Sequence, residues 1–159
     1  LRQLTRPHLP ELGRVPGSHL YRNVRRFSTS TSPELLAVRV DAPLTLGSAR
    51  PISDRIEAMI AERSSVRYLV IDGSAINMCD FTGLETLREL ITGLAESGVQ
   101  THLAELRGPV RDVLARDRFF VDLDAAGRIH PSVAAAVDSL PITLDDHENG
   151  PDDRTAQPD

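Results

Sequence analysis

The 159-residue sequence contains no lysine and no tryptophan, a single cysteine and only 4% aromatic residues. One cysteine, Cys79, excludes an internal disulfide framework and fits a reducing compartment. No Gly-x-Ser-x-Gly elbow, phosphate loop or dinucleotide-binding glycine fingerprint is present, and no catalytic residue is expected. The five histidines, His8, His19, His102, His130 and His147, show no spacing of a metal-binding pair, so no metal site is expected either. No uninterrupted apolar run approaches the roughly 18 residues that cross a bilayer, so this stretch does not itself read as membrane-spanning. No apolar signal segment follows Leu1, and the expectation is a piece of a longer protein.

What is present is ordinary for a folded domain: 40% hydrophobic and 26% charged residues, enough for a packed core. All 18 basic residues are arginine, and they are unevenly placed. Residues 1–26 hold six arginines against Glu11, a net +5, whereas 27–140 and 141–159 each carry a net −5. A basic leader on an acidic body points to a negatively charged surface nearby, either nucleic acid or an anionic membrane leaflet. The acidic body and scarce aromatics argue against nucleic acid.

Residues 1–34 are rich in Pro, Gly, Ser and Arg and read as an extended basic arm or linker, most flexible over Ser28–Pro33. From Leu35 the pattern changes. Leu36, Val38 and Val40 alternate as in a strand, and Asp41-Ala42-Pro43 turns into a short second strand at Leu44–Leu46. Ile52, Ile56, Met59 and Ile60 then recur at helical spacing to about Arg63. Val66–Ile71 is a β-branched apolar run, the mark of a strand buried on both faces. A loop leads to a helix from about Thr82 to Ser97 with Leu84, Leu87, Leu90, Ile91 and Leu94 on one stripe, stopped by Gly98. A strand at Val99–Leu103, a helix from Gly108-Pro109 and a last helix over Ser132–Leu140 follow, and 141–159 reads as a disordered acidic tail. The sum is an α/β domain over 35–140 with a mixed, largely parallel β-sheet flanked by α-helices.

In such sheets function gathers where strands run into helices at their carboxyl ends, here after Ile71. The segment runs from Asp72-Gly73-Ser74 to Asp80-Phe81-Thr82-Gly83. Thr82 followed by Glu85 fits a capping box, Gly83 removes bulk beside the helix start, and Asp80 complements its dipole. Thr82 is also the candidate for phosphorylation, since a phosphate would add about two negative charges to an exposed loop. Cys79 reads as a half-buried packing residue, although a thiol near a helix N-terminus is open to activation.

Asp80-Phe81-Thr82-Gly83 after a buried strand ending in Asp72-Gly73-Ser74 resembles the STAS domain, shared by anti-sigma factor antagonists and SulP-type anion transporters. Arg6-Pro7-His8, Leu12–Gly17, Tyr21–Val24 and Arg26-Phe27 resemble the connector between the last membrane helix and the STAS domain of SulP transporters. Val38–Leu44 resembles that domain's first strands. Phe81 stands where the phosphorylated antagonists commonly have Ser, leaving Thr82 as the hydroxyl.

The resemblance implies a non-enzymatic regulatory domain at the cytoplasmic face of the cell membrane, in a secondary transporter of sulfate, bicarbonate or a related anion. Asp72, Ser74, Asp80, Phe81, Thr82 and Gly83 form its expected partner, anion or nucleotide loop. No cofactor is expected beyond weak nucleotide contact at the helix terminus. The implied partners are the transmembrane domain of the same protein, a second copy, and the membrane surface through the basic arm, with no nucleic acid. The alternative is a free-standing anti-sigma factor antagonist switched at Thr82.

Overall fold

The computed structural model describes residues 7–147. Four parallel strands make the central sheet: β4 (Leu35–Arg39), β5 (Tyr68–Asp72), β6 (Gln100–Ala104) and β7 (Ile129–His130), in that spatial order. Leu36, Leu69 and Thr101 stand in one row of the register, and Arg39, Asp72 and Ala104 in another, so the three long strands end together. Alternation divides the apolar side chains between two cores. Leu36, Val38, Leu69, Ile71 and Leu103 pack under α1 (Ala49–Ala61), α2 (Phe81–Glu96), α3 (Gly108–Leu114) and α4 (Arg118–Ala125). Leu35, Ala37, Val70 and Ala104 face α5 (Val133–Asp138). Burial on both faces makes β4 and β5 apolar up to their last residues, whereas β6 also buries Thr101 and His102.

The flanking segments are more structured than an arm and a tail. β1 (Leu12–Arg14), β2 (Tyr21–Asn23) and β3 (Thr29–Thr31) join β8 (Asp145–His147) in a second, antiparallel sheet of order β2-β1-β3-β8. The extended arm expected over 1–34 is therefore corrected for the described residues: Leu12 is buried against the α5 core, and Thr29, Ser30 and Ser32 are buried in what read as the most flexible stretch. An ion pair and a side-chain hydrogen bond fasten this leader to the body. Arg63, at the end of α1, grips Glu11 with two nitrogens at 2.5 and 2.6 Å, and His8 Nδ1 lies 2.6 Å from the Asp41 carboxylate. The disorder expected over 141–159 is likewise corrected at its start by β8, while 148–159 lie outside the described residues, as do 1–6. Three-residue strands are too short to carry a readable period, which is why both ends looked unstructured.

Two further expectations change. Leu44–Leu46 is no strand; Leu44 alone makes a parallel bridge with Cys79, so the antiparallel part of the architecture comes from the leader and β8. α4 and β7, unread in the sequence, complete the sheet's far side: Asp117 caps α4 by accepting from the Phe119 amide at 3.0 Å, and Phe120 and Leu123 plug the main core. Among the described residues no helix is long and apolar enough to cross a membrane.

Candidate functional site

The site begins where β5 ends. Asp72 closes the strand, and its carboxylate accepts from the Ser74 amide at 2.8 Å, turning the chain sharply out of the sheet. Gly73 donates to the Ala104 carbonyl at 2.8 Å and packs so tightly that a Cβ there would meet Leu106 at 2.8 Å. Arg107 donates to the Ser74 carbonyl from the β6–α3 loop, so two neighbouring strand-to-helix loops are tied together.

The far end of the loop meets the segment after β4. Leu44 donates to the Met78 carbonyl at 2.9 Å, and Asp80 donates back to the Leu44 carbonyl at 3.0 Å. The Asp80 carboxylate then serves two amides, Gly83 at 2.7 Å and Leu46 at 3.1 Å. This corrects the capping box. α2 starts at Phe81, Asp80 is its N-cap in an extended conformation, and Thr82 is the second helical residue. Aspartate is as good an N-cap as threonine, and here it gains a second amide that a threonine two positions later does not reach. Gly83 is required by close approach, because a Cβ on it would stand 2.1 Å from the Leu44 carbonyl oxygen.

The sequence-predicted residues thus come together in one rim, in different roles. Asp72, Ser74, Asp80 and Gly83 build the backbone of the loop, whereas Phe81 projects outward, 74% exposed. Two residues outside the predicted set join it: Leu46, 75% exposed, and Met78, 53% exposed. Large apolar side chains left in water on three adjoining segments are the signature of a contact surface rather than of a core. Only their exposure distinguishes them, and a lone Leu or Met in a loop carries no such signal in the sequence.

Cys79 lies beneath this rim, buried, and its thiol is pushed up to about 11 by burial and by the Asp80 carboxylate, so proximity to α2 does not activate it. A void of about 20 Å³ below, bordered by Leu44, Cys79, Gly83 and Leu87, is apolar and too small for anything beyond a water molecule. Asp80 already places a carboxylate on the amides that an anion would use, which works against phosphate or nucleotide at this terminus. His102 is a hydrogen-bonded sheet histidine that meets His130 across β6 and β7, and no cluster of three or more metal-ligating side chains occurs among the described residues.

Comparison with known proteins agrees with the resemblance read from Asp80–Gly83. The family described as the STAS domain matches residues 26–136. Sulfate transporter 1.3 of Arabidopsis thaliana is 30% identical over 156 residues, covering 92% of this chain and 24% of that protein. Among solved structures, the murine Solute Carrier 26 family member A9 anion transporter in the inward-facing state superposes with a TM-score of 0.71 at 21% identity, over 82% of this chain and 22% of that one. The SulP transporter STAS domain from Vibrio cholerae gives 0.54 at 17% identity, over 69% of this chain and 82% of that one. The chain spans about a quarter of the length of the curated relatives it matches.

Proposed function

The chain belongs to the family of STAS domains, and from that premise we propose that it is the cytoplasmic regulatory domain of a secondary anion transporter of the sulfate or bicarbonate type. It works by docking and by responding to a partner, not by catalysis. The observation that carries this reading is the exposed apolar rim of Leu46, Met78 and Phe81, held in place by the two hydrogen bonds of Asp80. A rim of that kind suits the cytoplasmic face of the transmembrane domain in the same protein. A second copy of the chain, and the membrane surface beside the basic leader, complete the partners.

The likeness to the plant transporter extends along 92% of the chain, beyond the 26–136 of the domain itself, so the leader is part of it. That favours a transporter over a free-standing antagonist switched by phosphorylation at Thr82, which has no need of such a leader. No cofactor is assigned.

The coding sequence upstream of Leu1 gives the first test. Several apolar spans of about 20 residues are expected there; a translation start at this domain with nothing hydrophobic before it would end the proposal. In the full-length protein, Leu46→Ser with Phe81→Ser should lower transport while the isolated chain unfolds at an unchanged denaturant midpoint.

A further inference from the structure

We propose that the β1–β2 hairpin and the turn that follows it form a contact surface for an anionic lipid bilayer. From residue 12 to residue 33 the sequence holds four arginines, Arg14, Arg22, Arg25 and Arg26, and no carboxylate. Arg22, Arg25 and Arg26 are exposed, and none of them forms an ion pair among the described residues. Their charge is therefore available to a partner.

The geometry presents it outward. Tyr21 and Asn23 turn inward from β2, with Tyr21 packed on the α5 core, so Arg22 between them faces solvent, as does Leu20 two residues earlier. Asn23 then fixes the next turn: its side chain accepts from the Arg25 amide at 3.0 Å and its carbonyl from Arg26 and Phe27 at 3.0 and 3.1 Å. Leu20 is likewise set, by the Ser18 hydroxyl on its amide and by its own carbonyl on Val15. Leu20 and Phe27 are about half exposed. Basic side chains interleaved with an aliphatic and an aromatic one, on backbone already ordered, match the interfacial region of a bilayer, where apolar groups enter the acyl boundary and guanidinium groups meet phosphate.

Glu11 and Glu62 share a groove with Arg25 and Asp138 lies near Tyr21, but Glu11 is already paired with Arg63, and the acids of the same sheet stand further off. Asp145 and Asp146 lie on β8, at the opposite edge of the same sheet and three strand spacings away from β2. That is roughly 14 Å, beyond the Debye length of about 8 Å at physiological salt. One sheet thus has a basic edge for the membrane and an acidic edge away from it.

The inference rests on the reading that the chain works beneath a membrane, but its test needs no host protein. The 159-residue chain is floated with vesicles of phosphatidylcholine mixed with phosphatidylglycerol, and with phosphatidylcholine alone. Binding to the mixed vesicles is expected, falling as salt rises, and lowered about fivefold by each of Arg22→Gln, Arg25→Gln and Arg26→Gln. Leu20→Ser with Phe27→Ser should lower it at every salt concentration, and Arg116→Gln, at an exposed arginine between α3 and α4 outside the second sheet, should leave it unchanged. Equal binding to both vesicle types, or a loss with Arg116→Gln as large as with Arg22→Gln, overturns the proposal. So does binding to duplex DNA with the same arginine dependence and none to vesicles. A chain that fails here while its Leu46 and Phe81 variants still impair transport loses the lipid contact alone and keeps the docking reading.

Discussion

His102 and His130 share a hydrogen bond, with Nδ1 of the first 2.9 Å from Nε2 of the second and ring centroids 5.1 Å apart. His102 Nε2 lies 2.7 Å from the Gln100 side-chain oxygen and donates to it, so its Nδ1 accepts from His130 Nε2–H. The contact cannot survive protonation of both rings, because neither facing nitrogen could then accept, and burial favours the neutral pair. Only 5% of His102 is exposed; burial first, then His130 and Arg128, lower it to about 4, and burial lowers His130 as well.

The unfolded chain takes up protons below about pH 6.5 that the folded chain refuses, so stability is complete above that pH and falls as pH drops toward 4. The slope is about 1.4 kcal/mol per pH unit for each histidine held neutral. Urea midpoints measured between pH 7 and pH 5 should decline, and His102→Gln should remove about one proton from the slope. A pH-independent midpoint would contradict the pairing.

Asp80→Ala should cost about 1–2 kcal/mol, because it removes the α2 cap and leaves the Leu46 amide without its acceptor. Thr82→Ala, one turn position inside the helix, should stay within about 0.5 kcal/mol. Chemical denaturation of both variants ranks them. Should Thr82 prove the costlier, the cap has been assigned to the wrong residue.

Gly83→Ala should destabilise by about 3 kcal/mol, since its new methyl meets the Leu44 carbonyl and backbone must move. Gly93, in the same helix, faces open space, and Gly93→Ala should raise stability by about 1 kcal/mol. Opposite signs from one substitution at two glycines of α2 are the expected result in thermal or urea unfolding.

Glu11→Gln should loosen the leader without unfolding the domain. Arg63 is held above its usual range by the Glu11 carboxylate, and the partly exposed pair is worth on the order of 1 kcal/mol. Hydrogen exchange should quicken at the β1 amides of the variant and stay slow in β5. Equal quickening in both strands would mean that the leader is not a separate unit.

The parallel core was legible because β4 and β5 are apolar runs, Val99, Thr101 and Leu103 alternate into β6, and α2 shows five apolar residues at helical spacing. The position of the Asp72–Gly83 loop was legible too, since Asp72-Gly73-Ser74 ends an apolar strand and a helical stripe follows, although the cap proved to be Asp80 rather than Thr82. What the sequence hid was held by pairing over distance. Ser30 has no local reason to be buried, and it is so only because Arg14 and Asp146 lie beside it. His102 and His130 meet through the parallel register of β6 and β7, which no spacing rule anticipates. Leu46 and Met78 became part of the site through the Asp80 and Leu44 hydrogen bonds, two links between loops more than thirty residues apart.

Ser30 bonds to Asp146 across 116 residues of sequence. During synthesis β3 therefore waits with one edge bare until every strand of the parallel sheet has been made. Closure of the small sheet thus waits for β8 to be made, and a nascent chain truncated before Asp145 carries that open edge with it.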